Sequence, residues 1–428
     1  MRLMSNLKKC LPEQQQERDS GWAWVIVFSA FAINIITDGC SFSFGVLYSH
    51  LLDEFQETRS ATAWTGSLLA SAPMLCGPIA SWITTKIGFR KATIIGGLIA
   101  AAGYLASAFV NSIDAICLTL GCITGVGISL PYLNSIVVVT SYFEKKRTIA
   151  TGISQSGAGI GTLIFSPLYE FLIEKYGWRG ALIIMGGIVL NIVACGAVFR
   201  EIDKHIPIED IEMAHSASGN ESKNEEDETI HCLTNTKCVE KIENVATCNY
   251  IKEKEGSLYK KTKWYRFMEK KMDILCNRRF FILILAFILV YFFYDVPYDF
   301  TIDRMKGFGV AEQKSTYIMA VIGLFHVIGN VVFGILGNRT QTHRIFLFSG
   351  SLVLWGVVLF VIPSFTQYVP NMILGGMFGF ISACQEAVHA VIIIDILGED
   401  KMTDAYGILM FIQGMSNLFG PPFGGKIY

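Results

Sequence analysis

A basic cluster and a ladder of small residues stand side by side in residues 142–161. The basic cluster is Lys145, Lys146 and Arg147, and the ladder is Gly152, Gly157 and Gly161. The cluster follows the apolar run 116–140, and Lys or Arg beside a membrane-spanning helix marks its cytoplasmic end. Glycines spaced four or five residues apart leave one helical face nearly bare, so the backbone can approach a neighbouring helix closely. The pattern predicts membrane helices that associate through small residues.

Composition supports the same class of protein. Of the 428 residues, 52% are apolar and only 17% are charged, and the mean hydropathy is +0.45. An ordinary soluble domain is not built this way. A net charge of −1 argues against nucleic acid as a partner. The 11 cysteines show no CxxC spacing, so we expect free thiols, and we predict no metal and no cofactor.

Eleven apolar spans are predicted, numbered 1 to 11 along the chain. Spans 1 to 6 cover about residues 24–48, 61–85, 92–110, 116–140, 148–173 and 180–199. Spans 7 to 11 cover about residues 280–300, 315–336, 345–362, 371–397 and 404–427. Basic residues concentrate in alternate loops, which places the N-terminus in the cytoplasm. The predicted fold class is therefore an all-α membrane protein.

Four regions follow from this pattern. Residues 1–21 are a cytoplasmic arm without the features of a cleaved signal peptide, and residues 22–199 are a six-helix half. Residues 200–279 are polar and predict a disordered cytoplasmic linker, whose last part mixes basic and aromatic residues. That part is either an amphipathic helix on the inner leaflet or a solvated run. Residues 280–428 form a second half of five helices.

Several polar side chains interrupt the apolar spans. Asp38 lies about 14 residues into span 1, which is roughly 21 Å along the helix and near the bilayer centre. The others are Asp295 in span 7, His326 and Asn330 in span 8, and Ser382, Glu386 and His389 on one face of span 10. An ionisable group at such depth is costly, so we predict that these residues bind the substrate in a cavity. The alternative for each is a hydrogen-bonding partner on a neighbouring helix. No Lys or Arg is predicted to be buried in any span.

The 142–161 block resembles the signature of the monocarboxylate transporter family, a branch of the major facilitator superfamily. The matching positions are Tyr142, Phe143, Lys145, Lys146, Arg147, Ala150, Gly152, Gly157 and Gly161. Residues 19–24 resemble the family's second signature, with Ser20 where a Gly is usual. Trp22 and Trp24 also fit a plain interfacial aromatic belt. Asn338 and Arg339 echo the loop between spans 2 and 3, as an internal repeat requires.

The resemblance implies a plasma-membrane carrier with two six-helix halves that works by alternating access. An immunoglobulin-type ancillary glycoprotein is a possible partner by this resemblance, besides the lipid bilayer and a small organic solute. The family's pattern continues into a twelfth span beyond residue 428. We therefore expect a splice variant, a truncated gene model or a fragment, poorly folded or inactive alone.

The pocket positions of the family differ here. The resemblance places Phe42 at the Lys of span 1, His326 and Asn330 at the Asp and Arg of span 8, and Ser382 at the bulky Phe of span 10. This substitution pattern puts the family's proton–lactate mechanism in doubt for this chain. No Ser/His/Asp or Cys/His set accompanies a supporting turn, so an enzyme is not predicted.

Three hypotheses remain open. The first is a carrier for a zwitterionic or cationic carboxylate-type metabolite, and the second is a proton-coupled carrier for a lactate-like or pyruvate-like acid. The third is a non-transporting form that regulates a full-length partner. The sign of the pocket charge separates the first two hypotheses.

Overall fold

A computed structural model describes residues 19, 21–56, 59–200, 274–310, 312–340 and 343–427. Most of the predicted N-terminal arm and linker lies outside these residues. Every regular element in the described ranges is helical, so the predicted all-α class is confirmed. The division into an arm, two halves and a linker stays a prediction.

Span 1 consists of helices α1 (Gly21–Phe42) and α2 (Phe44–Phe55). Span 2 is a bent pair, α3 (Arg59–Leu75) and α4 (Gly77–Ile87), with an angle of 45° between its segments. Pro78 lies in the first turn of α4, where its missing N–H breaks no helical hydrogen bond. Span 3 is α5 (Phe89–Ser107).

Span 4 begins with a short helix, α6 (Ile113–Ile116), continues as a π-helix (Cys117–Ile123) and ends as α7 (Thr124–Tyr142). Predicted spans 5 and 6 lie in one long element, α8 (Arg147–Val189), followed by α9 (Asn191–Val198). Gly177 interrupts α8 with φ 70° and ψ 168°, a backbone conformation that favours glycine. The turn between these two spans is therefore a single break at a glycine, where the sequence predicted a loop of about six residues.

Span 7 is also broken, into α10 (Arg278–Phe293) and α11 (Val296–Gly307). Span 8 is α12 (Glu312–Arg339), and span 9 is α13 (Arg344–Val361) with a terminal 3₁₀ turn (Ile362–Ser364). Span 10 is α14 (Tyr368–Leu397), and span 11 is α15 (Met402–Ile427).

Length and hydropathy test these helices as membrane spans. Six helical stretches in the described ranges qualify, or seven if the bent α3–α4 pair counts as one span. One of the six, Arg147–Val198, holds two predicted spans, while the break in span 7 leaves helices of 16 and 12 residues. The count of eleven spans stays a prediction.

The small-residue ladder of α8 packs against two neighbours at once. A Cβ atom at Gly157 or Gly161 would lie 2.5 Å or 2.4 Å from a carbonyl oxygen of α1. A Cβ atom at Gly152 would lie 2.4 Å from the Asn330 carbonyl oxygen of α12. Such distances are shorter than any van der Waals contact, so only glycine lets these backbones meet. The ladder thereby joins spans that are far apart in sequence.

Candidate functional site

The described helices line a partly open cavity with a volume of about 50 Å³. Its wall is formed by spans 1, 2, 4, 7, 10 and 11. The lining residues are Asp38, Ser41, Phe42, Ala70, Pro73, Met74, Ile128, Tyr132, Tyr291, Tyr294, Asp295, Glu386 and Asn417. We call this space the acidic cavity, because it has three carboxylates and no Lys or Arg among these lining residues.

Four residues singled out from the sequence line the acidic cavity together, namely Asp38, Phe42, Asp295 and Glu386. They come from three different spans, so the fold gathers residues up to about 350 positions apart. The break between α10 and α11 falls at residues 294–295 and brings Asp295 to the cavity wall.

Aromatic residues of span 7 were not predicted for the site. The Tyr291 and Tyr294 rings stack on each other with centroids 5.4 Å apart. Phe42 stacks on Tyr298 across the halves, with centroids 5.2 Å apart. The spacing of Tyr291, Tyr294 and Tyr298, three and four residues apart, is the period of one helical face and was the available signal.

Glu386 is the acid of the cavity with the most partners. The Tyr294 hydroxyl donates a hydrogen bond to its Oε1 at 2.8 Å. His326 Nε2 lies 3.2 Å from its Oε2, close enough for an ion pair with a protonated ring, although the angles are not those of a hydrogen bond. Glu386 is 9% exposed, so its charge is held mostly inside the protein.

His326 and Asn330 lie behind Glu386 and do not line the cavity. Asn330 Nδ2 is 3.3 Å from His326 Nδ1, which is the spacing of two side chains one turn apart in α12. Both residues are almost fully buried. Their contact to the cavity runs through Glu386.

Ser382 and His389 share α14 with Glu386 but are also absent from the cavity lining. The Ser382 hydroxyl donates to the Gly379 carbonyl at 3.0 Å. His389 uses both ring nitrogens, with Nδ1 at 2.6 Å from the Gln385 carbonyl and Nε2 at 3.1 Å from the Tyr406 hydroxyl. Of the two alternatives for these residues, the geometry therefore favours hydrogen bonding within the helix bundle over a position in the cavity wall.

The two signature segments meet at the basic end of the bundle. The Asp19 carboxylate accepts hydrogen bonds from the backbone N–H groups of Glu144, Lys145 and Lys146 at 3.2–3.4 Å. The Lys145 and Lys146 side chains are exposed. The Asp19 side chain therefore satisfies the free N–H groups just before α8 begins.

Arg147 is buried and joins the halves at the same end. Its Nε donates to the Thr140 and Phe143 carbonyls at 2.9 Å and 2.7 Å. Its Nη2 pairs with Glu399, which lies between α14 and α15. Beside this ion pair, the Ser81 hydroxyl of α4 donates to Asp404 of α15 at 2.9 Å. Glu399 and Asp404 were not predicted, because nothing in the local sequence indicates their partners.

The remaining signature residues have local contacts. The Arg200 guanidinium lies 4.0 Å from the centre of the Trp22 ring, and the Trp24 ring packs edge-on against Phe143 at 5.2 Å. Asn338 is half-buried and Arg339 is exposed. The ion pair of that region is formed instead by Arg344, whose Nη1 lies 2.8 Å and 3.0 Å from the Asp395 oxygens.

The described residues contain no group of three or more His, Cys, Asp or Glu side chains that could hold a metal ion. The acidic cavity offers carboxylates, hydroxyl groups and aromatic faces. Such a set can bind a small polar solute and compensate a positive charge.

Comparisons with known proteins agree with this geometry. The family model described as the Major Facilitator Superfamily matches residues 26–421. Monocarboxylate transporter 9 of Mus musculus is 30% identical over 97% of this chain and 89% of that protein. Monocarboxylate transporter 12 of Xenopus laevis is 29% identical over 95% and 83%, and monocarboxylate transporter 14 of Homo sapiens is 28% identical over 96% and 86%.

Among solved structures, the proton:xylose symporter XylE bound to 6-bromo-6-deoxy-D-glucose superposes with a TM-score of 0.69. The alignment covers 95% of this chain and 89% of the symporter, at 12% identity. At that identity the likeness concerns the fold alone.

Proposed function

This chain is a membrane transporter of the monocarboxylate transporter family within the major facilitator superfamily, and from that premise we propose that it carries a zwitterionic or cationic carboxylate-type metabolite. The proposal places it in the plasma membrane and has it work by alternating access, either by facilitated diffusion or by secondary active transport. The single observation that supports the substrate class is the acidic cavity, with Asp38, Asp295 and Glu386 in its wall.

Charge decides between the first two hypotheses. Two unit charges about 6 Å apart at an effective dielectric near 20 interact by roughly 3 kcal/mol, about a hundredfold in affinity. One added hydrogen bond contributes only about 1 kcal/mol. A simple carboxylate anion would be repelled by the cavity unless an acid were protonated, whereas an ammonium or guanidinium group would be attracted.

The aromatic side chains support the same substrate class. Phe42, Tyr132, Tyr291 and Tyr294 line the cavity next to its carboxylates. Aromatic faces attract cations, and the attraction grows to about 2 kcal/mol where water is excluded. The solute that fits this wall has a positive end, as carnitine, creatine and amino acids do.

In this proposal the halves separate and close at the basic end of the bundle during transport. The Arg147–Glu399 ion pair and the Ser81–Asp404 hydrogen bond connect the halves there. Loops rich in Lys and Arg face the cytoplasm, so this closure is assigned to the cytoplasmic side. The same rule places the N-terminus and the 200–279 linker in the cytoplasm. Cys238 of that linker should stay unlabelled by an impermeant thiol reagent in intact cells, and its labelling would contradict the assignment.

The experiment is uptake of labelled carnitine, creatine, arginine, lactate and pyruvate by cells that express the full-length protein, at two external pH values. We expect uptake of at least one cationic or zwitterionic compound, and its loss in the variant Glu386→Gln. The matched control is Glu174→Gln, which removes the same charge from an exposed position. Lactate or pyruvate transport that survives Glu386→Gln, with no uptake of the other compounds, would support the proton-coupled alternative instead.

A further inference from the structure

Beside the acidic cavity lies a buried acid–imidazole contact between Glu386 and His326. Glu386 lines the cavity, and His326 Nε2 faces its Oε2 at 3.2 Å from behind. His326 is 3% exposed, so a proton on this ring is separated from bulk water by Glu386 and the cavity. Nε2 is therefore the ring nitrogen through which a proton reaches or leaves the cavity.

The other ring nitrogen has a partner that suits either protonation state. Asn330 Nδ2 lies 3.3 Å from His326 Nδ1, and an amide nitrogen only donates. In this orientation Nδ1 accepts, and a neutral ring carries its proton on Nε2, toward Glu386. The amide oxygen, Oδ1, is buried and has no hydrogen-bond partner among the described residues.

A half-turn of the Asn330 side-chain amide exchanges the positions of its oxygen and nitrogen atoms. Oδ1 would then accept a hydrogen bond from a protonated Nδ1 and would gain the partner that it lacks. The ring would be charged, with one N–H toward Asn330 and the other toward Glu386. A single side-chain rotation thus fits the site to either the neutral or the charged imidazole without moving the backbone.

Several ionisable groups lie around this pair. Among the described residues, the other groups that face the pair are Asp38 of span 1, His389 of span 10 and five tyrosines. The tyrosines are Tyr132, Tyr291, Tyr294, Tyr298 and Tyr406. His389 already uses both ring nitrogens in hydrogen bonds. The charge balance around the pair is therefore set by Glu386, Asp38 and His326, together with Asp295 of span 7 in the wall of the same cavity.

We propose that the Glu386–His326 pair exchanges one proton for one substrate cation, so that transport is coupled to proton movement in the opposite direction. The inference rests on the proposed function, because it needs a cation in the cavity. When the ammonium group binds beside Glu386, the charged His326 ring releases its Nε2 proton through the carboxylate to cavity water. The ring stays neutral and keeps its other proton on Nδ1, toward the Asn330 amide oxygen. Two positive charges about 6 Å apart would weaken binding of the second about a hundredfold, so they occupy the site in turn.

Titration calorimetry of the purified full chain tests the exchange, with choline and carnitine as probes because their ammonium groups do not titrate. Binding heats in two buffers of different ionisation enthalpy give the number of protons released. We expect proton release on probe binding that falls as the pH is raised, measured at about pH 6 and about pH 8. Affinity should rise at least tenfold between the two pH values.

Variants show whether the released proton comes from His326 or from another histidine. His326→Gln should bind the probe without proton release and with pH-independent affinity, whereas His389→Gln and the exposed His343→Gln should keep the release. Asn330→Asp, which only accepts, should extend the release to higher pH. Size-exclusion profiles establish that each variant is folded, and Asn330→Asp provides a second test if His326→Gln is not.

The outcomes are distinct. Probe binding without proton release in the unaltered chain, or release that persists in His326→Gln, would overturn the exchange and leave the proposed function standing. If neither probe binds at either pH, while lactate or pyruvate does, the proposed function fails and the exchange fails with it.

Discussion

Carboxylates occur in two settings in this molecule, and their partners differ. At the basic end of the bundle Glu399 is paired with Arg147, and Asp395 with Arg344, in contacts that fix helices to one another. In the acidic cavity the lining contains no Arg or Lys among the described residues, and the contacts of Glu386 are to the Tyr294 hydroxyl and the His326 imidazole. An acid paired with Arg has a permanently charged partner, whereas a hydroxyl group and an imidazole carry no permanent charge.

The largest effect is expected from giving the cavity a permanent cation. Phe42→Lys places an ammonium group in the cavity wall, and repulsion of about 3 kcal/mol should lower cation uptake roughly a hundredfold. Uptake of lactate or pyruvate should rise in the same variant. Phe42→Leu is the matched control, because it removes the ring that stacks on Tyr298 without adding charge. Equal behaviour of the two variants in uptake assays would mean that cavity charge does not select the substrate.

The next effect concerns the ion pair between the halves. Arg147→Gln removes a charge-assisted contact worth about 1.5–3 kcal/mol and should shift the halves toward opening at the basic end of the bundle. Thiol labelling of Cys76 reports this opening, since the adjacent Gly77 packs against Gly407 across the halves. We expect labelling to become about tenfold faster or more.

A double-mutant cycle of Arg147→Gln with Glu399→Gln measures the coupling energy of the Arg147–Glu399 pair. The control is the Arg344–Asp395 pair, which lies within one half. Arg344→Gln should lower stability without changing Cys76 labelling. If the two arginine variants change labelling alike, the Arg147–Glu399 pair has no particular part in closing the basic end of the bundle.

A smaller effect is expected from Asp19. Asp19→Ala leaves three backbone N–H groups before α8 without their carboxylate and should cost about 1 kcal/mol of unfolding free energy, as loss of a helix cap does. Denaturant midpoints of purified protein measure it, with Asp114→Ala at another helix start for comparison. Because Asp19 holds the loop next to Arg147, Asp19→Ala should also accelerate Cys76 labelling modestly. A loss of unfolding free energy with no change in Cys76 labelling would mean that Asp19 only caps the start of α8.

The smallest effect is expected at Trp22. Its ring stacks with the Arg200 guanidinium at 4.0 Å, in an exposed position where such a contact is worth about 0.5–1 kcal/mol. Trp22→Leu should therefore leave uptake within about twofold, and Trp24→Leu, which loses the edge contact with Phe143, should cost more. Equal losses would favour the plain interfacial belt for both residues.

The sequence by itself determined the class of the molecule. Apolar runs with basic loops require membrane helices, because no other local structure satisfies the backbone in lipid. The glycine ladder predicted close helix packing, since the positions that have no side chain can be read directly from the sequence. The acids Asp38, Asp295 and Glu386 were also predictable, because a carboxyl group inside an apolar run is costly wherever it points.

Only the tertiary structure decided which polar residues share a space. Asp38 and Glu386 meet in the cavity, while Ser382 and His389, on the same helix as Glu386, are turned to hydrogen bonds within the bundle. The partners of Arg147 and His326 were equally invisible, since Glu399 lies 252 positions from one and Glu386 lies 60 positions from the other. Helical periodicity fixes the direction of a side chain relative to its own helix, but the packing of eleven predicted spans fixes what lies in that direction.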